Sequence, residues 1–393
     1  MDEPASREET WTLHPDLRII PAGASGVQLD IGSEHLHVAD DFLPLLLRFN
    51  RGASIEEAMQ TVPRVSGAFI RARQEIEEWK LSGVLVSDVG EGSVKDVGFS
   101  SVRSHLVMLN DVTRTRAFID ALHRNVRKGD VVVDLGCGSG VLSVAAARAG
   151  AARVHAIESG GMADVAQRVF EGNGVADLVR LHRGRSEGFQ LEEPADLLVT
   201  ETLGNDPFGE GILQNVIDAR KRFLKPDARI IPSRVRVVME VRDMSESHAR
   251  GAWLEESHLD RWRDAYGMDL APLQRLQLKH RTAVAVSPEV VAGWKPLCAP
   301  TEVSTVDLAA LDRDLIKAEV ELESMDSGRR AVMVVSFRCD LDEHGRLSTV
   351  PGEAPSDNHW KCLVWAPQVI GVERGDRIRL VYRSNGDFEM SLP

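Results

Sequence analysis

Cysteine is scarce in this chain. Cys137, Cys298, Cys339 and Cys362 are the only four among 393 residues, scattered singly with no C-x-x-C pair and no histidine-rich neighbour. That spacing excludes a disulfide framework and points to no structural zinc site, so the thiols read as small buried hydrophobes and no metal is expected. Long apolar runs are missing too. No stretch approaches the roughly 18 uninterrupted apolar residues that a membrane-spanning helix needs, so no membrane partner is expected. The opening MDEPASREET lacks the basic start and apolar run of a secretory signal, which makes the cytoplasm the expected address. Repeats and low-complexity tracts are absent, which excludes a solenoid. Basic charge is in deficit: 47 Lys and Arg stand against 60 Asp and Glu, a net −13. Phosphate-tracking needs the opposite balance, so nucleic acid is not an expected partner and a basic substrate is favoured.

What is present is an ordinary globular composition, 43% hydrophobic and 27% charged, at a length that allows two or three domains. SDVGEGSVKDVG, residues 87 to 98, mixes glycine with small and charged residues and reads as an exposed connection. Before it, LRIIPAG and GVQLDIGSEHLHVA read as short strands, while LPLLLRF, SIEEAMQTV and SGAFIRARQEIEEWKLSGVLV carry helix-period apolar residues. Residues 1–90 are therefore expected to form a small winged-helix-like α+β domain, with Ser54 and Glu57 as a capping box. After it, RKGDVVVDLGCGSGVLSVAAARAGAARVHAIES reads as strand, glycine turn, alanine-rich helix and strand. GGMADVAQRVFEGNG, LVRLHRG, ADLLVTET and GILQNVIDARKRFLKP continue the alternation, and RIIPSRVRVVMEVR reads as one strand. Residues 99–233 are expected to be an α/β domain with a doubly wound sheet. Residues 234–393 turn to alternating strands such as AVMVVSFRCDL and DRIRLVYRS, the pattern of an antiparallel β domain, with a helical insertion at about 246–270.

Two constellations carry chemistry. Gly136, Gly138 and Gly140 follow a strand that ends near Asp134, where the chain must turn sharply and bring its backbone close to a ligand. D-x-G-x-G-x-G resembles the S-adenosylmethionine loop of class I methyltransferases more than a nicotinamide fingerprint. Glu158 ends the next strand, where a carboxylate can accept both hydroxyls of a ribose. The second constellation is TETLGNDPFGEG, in which Glu201 and Glu210 lie nine residues apart with Gly204, Pro207 and Gly209 between them. A hairpin loop can turn the two carboxylates toward each other, at the end of a strand where open α/β sheets bind substrates. Converging carboxylates are costly unless a cation sits between them, and a planar guanidinium fits such a fork. In isolation the same spacing more often marks a solvated acidic loop.

Taken together, these motifs resemble the protein arginine methyltransferase family over roughly residues 99 to 393. HLVMLNDVTRT looks like the family's helix that closes over the cofactor, which implies His105 at the cofactor, Arg114 on the methionine carboxylate and Met108 lining the acceptor pocket. VVVDLGCGSG is similar to the family's first motif, with Asp134 beside the three glycines, and AIESGGMADVA to its ribose-binding segment, which implies Glu158 on the ribose. RGRSEGF implies Glu187, with Ser186 beside it, at the adenine. TETLGNDPFGEG resembles the double-glutamate loop, and NHWK the T-H-W loop of the β domain, which implies an Asp111–His359 pair and Trp360 at the substrate. WLEESHLDRWRDAYGMDL resembles the dimerisation arm, so a homodimer is implied, with Trp253, Leu254 and Leu259 covered by the partner. There are departures. The paired tyrosines that precede the first helix in many members are not obvious in DVGFSSVRSH, Thr202 stands where a tryptophan is common, and Asn358 replaces the threonine before His359. GEGIL and GMADVA look closer to the monomethylating branch, whereas Met108 is common among dimethylating members, so the number of methyl groups stays open.

The N-terminal segment, WTLHPDLRII through GASIEEAM, resembles the leader-peptide recognition elements of ribosomal peptide biosynthesis. In such elements a peptide adds a strand to a sheet edge, here expected within residues 27 to 38, and packs on the last helix, here 66 to 81. A DNA-binding winged helix is the competitor, disfavoured by the acid excess of this segment.

The expected fold is thus a class I methyltransferase Rossmann-like sheet followed by an antiparallel β-barrel-like domain with a helical arm. The expected function is S-adenosyl-L-methionine-dependent N-methylation of an arginine in a ribosomally made precursor peptide, leaving S-adenosyl-L-homocysteine. Glu201 and Glu210 would hold the guanidinium, and His359 with Asp111 could accept the proton. The alternatives are another acceptor, such as a peptide histidine or a small guanidino metabolite, or an inactive leader-binding or regulatory protein.

Overall fold

The computed structural model describes residues 10–15, 17–21, 26–31, 34–60, 62, 69, 72–73, 75–76, 79–80, 84–87, 102–184, 186–252, 254, 256–273, 283–365, 370–384 and 386–392. The chain divides into two compact units, one of residues 1–106 with 160–162 and one of 107–159 with 163–393.

In the first unit, strand Trp11–Leu13 pairs antiparallel with Leu85–Ser87, and a three-stranded antiparallel sheet has the order Arg18–Pro21, Val27–Ile31, Glu34–Val38. Within the segment expected to offer a free edge, Val27–Ile31 is therefore the central strand and Glu34–Val38 an outer one. Helix Ile55–Met59 starts at the capping box: the Glu57 N–H donates to Ser54 Oγ at 3.2 Å, and the Ser54 N–H to Glu57 Oε2 at 2.9 Å. Of the long helix expected at 66 to 81, only scattered positions are described, but Ala72, Ile76 and Trp79 are all buried at helical spacing. They complete a core with Leu29, Leu46 and Phe49.

The second unit is built on a five-stranded parallel sheet in the order Leu224–Ile231, Ala195–Val199, Val131–Leu135, Arg153–Glu158, Val179–Arg183. VVVDL is buried along its whole length, as a β-branched run with helices on both faces should be. The sequence runs from Val131–Leu135 out to one edge and returns to its other side. That reversal places the glycine turn, Glu158 and the loop after Ala195–Val199 around a single crevice at the carboxyl ends of the strands.

RIIPSRVRVVMEVR is not one strand. It forms the end of Leu224–Ile231, parallel to Ala195–Val199, and then Arg234–Asp243, antiparallel to Ala331–Asp340 over ten residues. Pro232 lies at the break, where a residue without an N–H cannot extend a ladder. Nor does the expected boundary at 233/234 separate two cores. One continuous core runs from Val133 and Leu198 in the parallel sheet to Val237, Phe337 and Tyr382 in the antiparallel sheets. The helical insertion is two helices, Glu246–Ala252 and Glu256–Tyr266. Leu259 is only 6% exposed within its own chain, so it is not free for a partner; Leu254 is half-buried, and Trp253 lies outside the described residues. Among the described residues no helix is long and apolar enough to cross a membrane, and no cluster of three His, Cys, Asp or Glu is placed to hold a metal.

Candidate active site

The glycine turn needs its glycines. Gly136, Gly138 and Gly140 have φ values of 78°, 52° and 79°, in the left-handed region that side chains disfavour. A Cβ at Gly136 would lie 2.9 Å from the Thr202 methyl, and one at Gly140 would run into the Phe170 ring. Asp134 Oδ2 accepts from Ser143 Oγ at 2.6 Å beneath the turn, and complete burial pushes its carboxyl up to about 7. Glu158 is drawn to the turn as well, Oε2 accepting the Gly138 N–H at 2.8 Å. Ser186 is buried, its carbonyl taking Arg222 Nη2 at 2.9 Å. The Glu187 side chain lies outside the described residues. His105 is buried on helix Val102–Asn110.

On the other side of the crevice, strand Ala195–Val199 leads into Thr200, whose Oγ1 donates to the Leu135 carbonyl at 2.9 Å. Glu201 follows and forms an ion pair with Arg114. Arg114 is buried on helix Val112–Asn125; its Nη2 donates to the carbonyl of half-buried Met108 at 2.8 Å, and its buried Nε–H has no partner among the described residues. The loop then doubles back. A Cβ at Gly204 would lie 2.8 Å from Glu210 Oε1 and 3.1 Å from the Asp206 carbonyl oxygen, so the second carboxylate folds closely over the first half of the loop. Burial, and after it the charge on Glu201, push Glu210 up to about 8, against the pull of Arg114. Burial raises Glu201 as well, with Arg114 and His359 opposing. Two carboxylates thus face one arginine, which is bonded to Glu201, and the cluster passes neutrality by one negative charge once Glu210 ionises.

Asp111 joins this cluster to the β domain. Its Oδ1 accepts the Arg114 N–H at 2.9 Å as the helix N-cap, and its Oδ2 takes the His359 N–H at 3.0 Å and Nδ1 at 2.8 Å. Burial works against the Asp111 carboxylate, but these bonds outweigh it and hold its pKa below the ordinary range. Trp360 is buried: its Nε1 donates to the Leu203 carbonyl at 2.8 Å, and the Arg114 guanidinium sits 5.8 Å from the ring centroid. Its ring packs 5.2 Å from that of Phe337 and 5.0 Å from that of His359.

Three contacts of the acid loop have no local sequence signal. The Lys361 N–H donates to Asn205 Oδ1 at 2.7 Å and the Tyr382 hydroxyl to Asp206 Oδ1 at 2.5 Å, across 156 and 176 residues of chain, and Trp360 reaches Leu203 across 157.

Known proteins resemble this chain in sequence and in fold. A profile described as the arginine methyltransferase oligomerization subdomain matches residues 250–389, and one described as ribosomal protein L11 methyltransferase matches residues 113–258. A probable protein arginine N-methyltransferase 6 from Arabidopsis thaliana is 29% identical over 340 residues, 83% of this chain and 74% of that protein. The chain is similar to the protein arginine methyltransferase family. Protein arginine N-methyltransferase 2 of Xenopus tropicalis, 29% identical, covers 71% of this chain and is itself covered to 65%. This chain spans about half the length (56%) of a rice probable protein arginine N-methyltransferase 6.1, at 33% identity. Among solved structures, the Trypanosoma brucei PRMT1 enzyme–prozyme heterotetrameric complex with AdoHcy shares the fold. Its TM-score is 0.64 at 24% identity, covering 75% of this chain and 93% of that one.

S-adenosylmethionine is the methyl donor of this family, and the residues here fit it. The unpartnered Nε–H of Arg114 is a buried donor suited to a carboxylate. The side-chain-free turn leaves room for close backbone approach, and Glu158 at its rim suits a diol.

Proposed function

We propose that the protein is an S-adenosylmethionine-dependent N-methyltransferase of arginine in a ribosomally made precursor peptide, with the leader held by the N-terminal unit. The observation that carries the arginine assignment is the Glu201–Arg114–Glu210 cluster, in which a single arginine faces two carboxylates and ionisation of Glu210 leaves one positive charge lacking. A guanidinium is charged on arrival and brings five donors, so it supplies what the two carboxylates lack. The leader reading is supported by the outer strand Glu34–Val38, an edge to which an extended peptide can add, and by the apolar core formed around Ile76 and Trp79.

The bound cofactor supplies an electrophilic methyl group on a sulfonium. Arg114 and the glycine turn orient it, while Glu158 reads the ribose, with Glu187 and Ser186 at the adenine. Glu201 and Glu210 hold the guanidinium in one plane and draw its positive charge toward two of its nitrogens, leaving electron density on the third to attack in line. His359, oriented through Nδ1 by Asp111, takes up the proton released at the methylated nitrogen. Met108 and the Trp360 ring border the acceptor. A homodimer through the arm is supported by the 250–389 match and by apolar side chains left open to solvent, Val112 at 61% exposed, Tyr266 at 61% and Met268 at 60%.

The test is intact-mass and fragmentation spectrometry of precursor peptide, with and without its leader, after incubation with the protein and S-adenosylmethionine. A leader-dependent methyl gain on arginine is expected. Gain on histidine or on a free guanidino compound would keep the cofactor site and overturn the acceptor. Equal gain without the leader would remove the role given to the N-terminal unit.

A further inference from the structure

The loop from Glu201 to Glu210 is held at three points. Two of them, Trp360 on Leu203 and the Lys361 N–H on Asn205, come from the segment that carries His359, and they steady the Glu201 half. The third comes from elsewhere. Tyr382, on strand Arg377–Arg383, is wholly buried, and its ring packs 5.9 Å from that of Phe388. Its hydroxyl donates to Asp206 Oδ1 at 2.5 Å from a ring that cannot turn away.

Asp206 organises the rest of the loop. Its Oδ1 also accepts the Phe208 N–H at 3.2 Å, and its carbonyl accepts the Gly209 N–H at 3.0 Å, one residue before Glu210. Two glycines let the chain close on it: a Cβ at Gly204 would lie 3.1 Å from the Asp206 carbonyl oxygen, and one at Gly209 3.3 Å from Asp206 Cβ. The place of Asp206 therefore sets the direction in which the chain enters Glu210.

We propose that Asp206 and Tyr382 are positioning residues that hold Glu210 against Glu201, so that the guanidinium cleft is formed before the substrate arrives. The physical reason is repulsion: two buried carboxylates splay apart unless a cation joins them or the backbone is tethered, and Arg114 is bonded to Glu201 alone of the two. A preformed cleft removes the reorganisation that would otherwise oppose binding and alignment. The proposal rests on the arginine reading above, and its test has an arm that needs no substrate.

In that arm the thermal stability of the full chain is compared with that of Glu210→Gln between about pH 4 and pH 10. Glu210 is pushed from its ordinary 4.5 up to about 8, facing Glu201 and Arg114. The folded chain therefore holds a proton there that the unfolded chain has lost. The native chain loses stability against Glu210→Gln as pH rises across that interval, and the margin is constant above about 8. With Tyr382→Phe in both proteins, the loosened loop lets Glu210 ionise more easily, and the plateau is reached at a pH lower by about half a unit or more. A plateau that does not move overturns the proposal.

In the second arm, Tyr382→Phe lowers kcat/KM for the arginine peptide by about 10- to 100-fold while S-adenosylmethionine affinity is unchanged. Asp206→Asn keeps an acceptor for both donors and retains most activity; Asp206→Ala does not. Equal loss in the two Asp206 variants would count against positioning. A chain that methylates no arginine overturns the proposed function, while the first arm still decides the positioning role.

Discussion

Among the described residues two arginine–glutamate pairs lie largely out of solvent, one at the crevice of the parallel sheet and one in the antiparallel sheet, and what surrounds them differs. Arg242 Nε meets Glu240 Oε2 at 2.9 Å, and Arg242 Nη1 reaches the carbonyl of Trp294 at 3.0 Å and that of Val291 at 3.3 Å. Those carbonyls end helix Pro288–Ala292, so the arginine closes a helix C-terminus and its charge is matched one to one. Arg114 is as buried as Arg242 and Glu201 nearly so, but Glu210 is added, and the Arg114 Nε–H is left without a partner among the described residues. The first pair balances its charge and acts as a strut, although Glu240 Oε1 is left without a partner among the described residues. The second lacks one cation as soon as Glu210 ionises, and that is what distinguishes it from the strut.

The largest effect expected from breaking this difference is at the unbalanced pair. Glu201→Gln or Glu210→Gln removes the excess negative charge and should lower kcat by about 100- to 1,000-fold, with cofactor affinity measured by calorimetry little changed. At the balanced pair the loss should be in stability. Arg242→Met leaves Glu240 buried and alone, at a cost of about 3–5 kcal/mol by denaturant titration, whereas Arg242→Met with Glu240→Leu should be close to neutral. Proton competition gives a smaller effect. Because Glu210 is pushed up to about 8, apparent affinity for the arginine peptide should improve about tenfold as pH rises from about 7 to 9, and Glu210→Gln should abolish that slope.

The smallest effect is expected at a buried pair that carries no net charge. His155 Nδ1 and His182 Nε2 lie 2.9 Å apart, and burial, then His182, push His155 down to about 4. Its folded pKa lies below the ordinary 6.5, so the unfolded chain binds the extra proton and stability falls as pH drops through that interval. Replacing His155 with Asn should flatten this slope by about one or two degrees of Tm without touching turnover.

Sequence alone reaches the parts of the site that rest on local constraints. Gly136, Gly138 and Gly140 are visible because a turn at a strand end needs positive φ, and Glu201 with Glu210 because glycines between two acids allow a doubling back. The Ser54–Glu57 capping box is visible for the same reason: its bonds join residues three apart. Tyr382 and Asp206 are invisible, since their bond spans 176 residues and neither position has an unusual neighbourhood. Glu240 and Arg242 lie two apart on a strand whose two faces are both covered, and nothing local in the sequence marks that burial. The expected boundary near residue 233 fails for a similar reason: a change of strand pattern marks a change of sheet, not the end of a core.

Asp111 has one oxygen on the start of the helix that bears Arg114 and the other on His359. The residue proposed to face the donor and the residue proposed to receive the proton are thus ganged to one carboxyl group. No drift of that helix can spoil one end of the reaction while sparing the other, and the two ends stay in step through every turnover.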